Sequence, residues 1–101
     1  MEGNFDIAKN IKNIENLKIQ LLNYTASLFN AFNDDDKSLE LIDDICNILI
    51  TAYLLGNKLG YDFTEIDEEI RKKIKLIPSD IKQNDEYNYK EFAVYLQNKQ
   101  R

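Results

Sequence analysis

The stretch from Ser38 to Gly60, SLELIDDICNILITAYLLGNKLG, most restricts what this chain can become. Between Ile45 and Leu55 it is apolar almost without interruption, with Asn47 as its strongly polar residue. At helical spacing Leu39, Ile42, Cys46, Leu49 and Tyr53 make one stripe, and Leu41, Ile45, Ile48, Ala52, Leu55 and Leu59 make another on a neighbouring face. A helix with two apolar faces needs cover on several sides. A chain of 101 residues has little left to supply that cover, so a second copy is expected to provide part of it. Asp43, Asp44 and Asn47 then stand at the polar edge of the helix.

The flanking segments read as helices too. Ile7, Ile11, Ile14, Leu17 and Leu21 recur at three and four, and Leu22, Thr25, Leu28, Phe29 and Phe32 extend the pattern to about Asn33, either continuously or with a bend near Asn13 to Asn16. Asn4 or Asp6 can cap the start. The polar run NDDDK is expected to be a solvated turn, with Ser38 as N-cap of the central helix and acids where the helix dipole favours them. It lacks the glycine and the spaced glutamate of a calcium loop. Gly60 suits a left-handed helix stop. Asp62-Phe-Thr-Glu65 has capping-box spacing and opens a helix bearing Ile66, Ile70 and Ile74, which ends before Pro78. Its exposed side carries Arg71, Lys72, Lys73 and Lys75, either a dipole-satisfying last turn or a phosphate contact. Past a polar segment, Tyr87, Tyr89, Phe92, Tyr95 and Leu96 form a short final helix, expected to close the core or else to stack on a flat ligand. With few glycines and one proline, the architecture is all-α, a bundle of four to five helices. Residues 1–77 make its core and residues 78–101 a polar linker with the aromatic helix.

Composition removes several functions. A net charge of −5 argues against a nucleic-acid binder, which needs a basic face. The chain has no histidine, so Ser-His and Cys-His nucleophilic catalysis are excluded and the commonest transition-metal ligand is missing. Cys46 lies in the apolar run and is expected to be a buried, inert thiol. The polar start MEGNFDIAKN has no signal-peptide core, and the apolar run falls short of the roughly twenty residues that span a bilayer, so a cytoplasmic protein with no membrane partner is expected.

Three pieces in order, DIAKNIKNIENLK, LLNYTASLFNAF and ELIDDICNILITAYLLGNKLGYDFTEIDEEIRKKI, resemble the MazG-like branch of the all-α nucleoside triphosphate pyrophosphohydrolases, over about residues 6–76. The most specific part is the apolar helix running through a Leu-Gly stop into a helix that begins on an acidic cap. The resemblance implies a helical bundle that assembles as a homodimer or homotetramer. Catalytic members share an EExxE motif on one helix and ExxD on the next, whose carboxylates cage Mg²⁺. Aligned through Leu59-Gly60, those positions fall on Asn23, Tyr24 and Ser27, and on Asp44 and Asn47; among them only Asp44 is acidic. A gapped register makes Glu40 and Asp43 the ExxD pair but supplies no acid between Lys18 and Asn33.

The replacements are nonetheless hydrogen-bonding groups set among Leu, Ile and Phe, where an unsatisfied polar group costs about 1–3 kcal/mol. They either bond one another across the helix pair or line a neutral polar pocket. On the second reading Asp44 takes ribose hydroxyls or a base amino group, Asn23, Ser27 and Asn47 donate and accept, Tyr24 stacks or donates, and Lys18, Lys58 or Arg71 takes any phosphate without metal. The expected function is then a catalytically inactive MazG-like protein that sequesters or senses a nucleotide-like small molecule and needs no cofactor, a role that suits phage or bacterial defence. The alternatives are a Mg²⁺-dependent pyrophosphohydrolase using Glu40, Asp43 and Asp44, and a helical interaction protein with no ligand.

Overall fold

The structure, a computed structural model, describes residues 2–33 and 38–99. Among them are five helices and no strand: α1 (Glu2–Ala31), α2 (Ser38–Lys58), α3 (Phe63–Lys75), α4 (Ser79–Asn84) and α5 (Tyr89–Lys99). None is long and apolar enough to cross a membrane. The helices divide into two compact units, Met1–Asp62 and Phe63–Arg101. The acidic turn at 34–37, the side chains proposed to cap α1 and that of Ser38 lie outside the described residues.

In the first unit α1 and α2 pack as a helical hairpin. No proline or glycine interrupts Asn4 to Phe32, and α1 runs through Asn13 to Asn16 without a break, which settles the choice left open by the sequence. The face it turns to α2 carries half-buried Ile14, Leu17, Leu21 and Leu28 and ends on buried Ala31. From α2 come Leu41, Asp44, Ile48, Thr51 and Leu55, spaced by three and four, with Asp44 and Thr51 buried. Thr25 satisfies its hydroxyl within its own helix, donating to the Leu21 carbonyl at 2.8 Å.

One neighbouring helix covers only one side of α2. The stripe of Leu39, Ile42 and Leu49 is therefore open, with Leu39 80% exposed. Cys46 lies on the same stripe and is exposed, which corrects the expectation of a buried thiol: the seam with α1 is formed by the Leu41–Ile48–Leu55 stripe instead. Leu22 and Phe29 on α1, and Phe32 just after it, are likewise exposed.

Helix α2 stops as its glycine requires. Gly60 has φ +106°, its N–H donates to Asn57 O at 3.0 Å, and the N–H of Tyr61 donates to Gly56 O at 3.1 Å, the two bonds of a Schellman stop. The Asn57 side-chain amide also donates to the Tyr61 carbonyl at 3.1 Å.

In the second unit α3 begins directly after Asp62 and ends before Pro78, as the capping-box and proline signals require. Lys72, Lys73 and Lys75 occupy its last turn, where the exposed carbonyls favour cations. The polar segment after Pro78 holds the short α4, which ends at Asp85 in the left-handed region, φ 47°. Helix α5 packs on α3 through buried Leu96. The expectation that the aromatic helix closes the core is corrected at three rings: Tyr87, Phe92 and Tyr95 are exposed, because Leu96 and half-buried Ala93 face inward and leave the aromatic stripe outside.

Candidate functional site

Asn23, Ser27 and Asn30 follow one another by four and three on α1, so their side chains share a face. With Ala26 and Ala31 they line one wall of an open groove of about 370 Å³, and Glu40 from the first turn of α2 lines the other. The alanines matter to the shape, because larger side chains there fill the hollow. Ser27 Oγ donates to Asp44 Oδ2 at 2.8 Å, tying the two helices together at the floor of this region. Asp44 is buried, 8% exposed, and this bond is what compensates its carboxylate for lost water.

The structure thus gathers Asn23, Ser27 and Asp44 in one place, and the first of the two fates expected for the polar residues, bonding across the helix pair, is realised for Ser27 and Asp44. Tyr24 and Asn47 are half-buried beside the hairpin seam. The candidate phosphate ligands are elsewhere. Lys18 pairs with Glu15 at 3.1 Å on its own helix. Lys58 is fourteen residues beyond Asp44 in α2, about 21 Å at 1.5 Å per residue, and lines a different cleft of about 420 Å³ with Lys9, Asn10 and Asn13. The Asn10 amide donates there to the Lys58 carbonyl at 3.0 Å, capping the end of α2. Arg71 belongs to the second unit, where its Nη2 donates to the Leu96 carbonyl at 3.3 Å while Nε and Nη1 are buried without a partner.

Three groove residues, Ala26, Asn30 and Ala31, are absent from the set read from the sequence. Asn30 repeats Asn23 at seven residues, Ala26 follows Asn23 at three and Ala31 follows Ser27 at four, so helical periodicity alone is enough to add all three to the set. A metal fares less well. Glu40 and Asp43, and Glu40 and Asp44, have the spacing of one helix face, yet among the described residues no group of three acids, histidines or cysteines lies close enough to hold an ion. The groove wall from α1 contributes amides, a hydroxyl and methyl groups but no carboxylate. That donor set does not fit Mg²⁺, which binds through carboxylate charge.

A model of the MazG-like family matches residues 7–92, most of the chain and both units. The chain belongs to the MazG-like family. The match continues past residue 76, where the resemblance read from the sequence stopped, through α4 and into the first turn of α5. No curated protein and no solved structure matches the chain. The all-α fold is that of the family, and the matched region includes the groove with Asn23 and Ser27.

Proposed function

We propose that this MazG-like chain binds a nucleotide or a nucleotide-derived signal in the α1–α2 groove and holds it without hydrolysis. The observation that carries the reading is the Ser27–Asp44 hydrogen bond beside a groove lined by Asn23 and Asn30. The α1 wall offers amides that both donate and accept, whereas Glu40 on the α2 wall, when ionised, only accepts. A nucleobase with its ribose presents both donors and acceptors and matches two such walls.

A second copy of the chain is part of the same reading. Leu22 and Phe29 on α1, Phe32 just after it, and Leu39, Ile42 and Leu49 on α2 are each more than half exposed. Fully burying one such side chain is worth about 1.5–3 kcal/mol, so a homodimer or homotetramer that covers them gains stability the isolated hairpin lacks.

The test is incubation of the pure protein with a mixed nucleotide pool, with and without Mg²⁺, followed by mass spectrometry of the retained and free fractions. Retention of an intact nucleotide-like compound, lost in Asn23→Ala, is the expected result. Accumulation of monophosphates and pyrophosphate only with Mg²⁺ overturns the reading in favour of a pyrophosphohydrolase using Glu40, Asp43 and Asp44. Retention of nothing leaves a helical interaction protein.

A further inference from the structure

The second unit carries a feature that the nucleotide reading does not use. Tyr87, Asn88, Glu91, Phe92 and Tyr95 line an open hollow of about 490 Å³ on the outer face of α5. Burial is the ordinary reason for clustered rings, yet Tyr87 is 75% and Tyr95 57% exposed. Phe92 and Tyr95 lie nearly parallel, 12° between planes with centroids 6.4 Å apart, and Tyr87 meets Tyr89 edge-on at 6.0 Å and 60°. Ring faces are therefore presented in more than one direction. Glu91 stands four residues before Tyr95 on α5, which places a carboxylate on the same helix face, and Tyr87 from the preceding turn lines the same hollow.

The turn that presents these rings is firmly held. Asp85 Oδ1 accepts the N–H groups of Tyr89 at 2.7 Å and Lys90 at 3.4 Å, and the N–H groups of Asn88 and Phe92 donate to the Asp85 and Asn88 carbonyls, each at 3.1 Å. Asp85 and Asn88 adopt φ 47° and 62°, values that Asp and Asn tolerate better than other side chains. Little ordering is left for a ligand to impose. Asp85 also sets its negative charge against the positive end of the α5 dipole, which otherwise repels a cation.

We propose that this surface is a binding site for a soft organic cation, a quaternary ammonium or guanidinium group, seated against the faces of Phe92 and Tyr95 with its charge toward Glu91. Ring faces carry the negative end of the aromatic quadrupole and attract weakly hydrated cations, and the carboxylate adds to that attraction. A nucleotide is the poorer occupant: its base can stack, but its phosphates meet Glu91 and the neighbouring Asp85 and Glu86. A chain with a net charge of −5 favours the cation as well.

The test follows the aromatic proton resonances of the full chain by NMR during titration with choline, with its neutral isostere 3,3-dimethyl-1-butanol, and with adenosine monophosphate. Choline is expected to shift the Phe92 and Tyr95 ring signals saturably in the millimolar range, and the alcohol to have little effect. Phe92→Leu and Tyr95→Leu should each weaken choline binding about two- to fivefold, the range that exposed cation–π contacts allow. Glu91→Gln should weaken it and flatten its salt dependence. Should a substitution at Phe92 or Tyr95 disturb α5 by circular dichroism, Tyr87→Ala, at the most exposed ring lining the hollow, carries the same expectation. Equal binding of the neutral alcohol, shifts from adenosine monophosphate alone, or choline binding unchanged in the ring variants each overturns the proposal.

Discussion

The bond between Ser27 and Asp44 gives the sharpest prediction about the hairpin. A hydrogen bond to a charged group contributes about 1.5–3 kcal/mol net when both partners are enclosed. Here Asp44 is buried while Ser27 is exposed, so water entering in place of the hydroxyl recovers part of the loss. Ser27→Ala should therefore destabilise the protein by about 1 kcal/mol, and the Ser27→Ala/Asp44→Ala double-mutant cycle should return a coupling of similar size. Asp44→Asn should cost less than Asp44→Ala, because the asparagine carbonyl still accepts from Ser27 Oγ. Urea unfolding followed by far-ultraviolet circular dichroism measures all of these, at one fixed protomer concentration so that association does not enter the comparison. A coupling under about 0.5 kcal/mol, the scatter expected of independent sites, refutes the claim that this bond ties α1 to α2 in solution.

Cys46 reports on the open stripe of α2. Its thiol should react readily with a disulfide reagent at high dilution and at least tenfold more slowly at concentrations where a second copy covers Leu39, Ile42 and Leu49; a rate independent of concentration together with a light-scattering mass of 11.9 kDa counts against the homo-oligomer. Asp85→Ala should cost about 1 kcal/mol and speed amide exchange in the first turn of α5, because two backbone N–H groups lose their acceptor, whereas Asp85→Asn should preserve most of the stability through an equally good cap that tolerates the positive φ. Restoring acids to the α1 wall with Asn23→Glu/Ser27→Glu should create a Mg²⁺-dependent rise in melting temperature that the parent chain lacks; no rise means that these positions do not face one metal site with Glu40 and Asp44.

Helix type and limits were readable because they depend on local signals. The three-and-four spacing of Leu17, Leu21 and Leu28, the glycine at 60 and the Asp62 cap each act over a single turn and need no partner element. What the sequence could not decide was which of two apolar stripes on α2 meets α1. Both stripes are apolar, and the seam follows the Leu41–Ile48–Leu55 side past Asp44, because there the serine on α1 offers a partner and Ala31 allows close approach. Placing Cys46 inside followed from counting apolar neighbours along one helix; its exposure follows from which side of that helix receives cover. The tail failed for a similar reason: Leu96 and Ala93 are enough to dock α5 on α3, and the larger rings are left outside.

The site was legible in its chemistry and less so in its extent. Polar residues at 23, 27 and 44 among apolar neighbours announced a cluster, and the structure joins them. Lysines 18 and 58 were attractive as isolated charges, but one is engaged by Glu15 and the other sits about 21 Å along α2 from Asp44, distances that helical rise already fixes. What remains at the groove is an asymmetric pair of walls, amides and a hydroxyl on α1 against the Glu40 carboxylate on α2, with the buried Asp44 carboxylate engaged by Ser27. A cage for a divalent ion needs carboxylate charge from both helices, whereas a neutral face of a nucleotide needs donors on one side and acceptors on the other. An α1 wall without carboxylates meets the second requirement and not the first, and that asymmetry, more than the absence of any single acid, is what supports the proposal of binding without turnover.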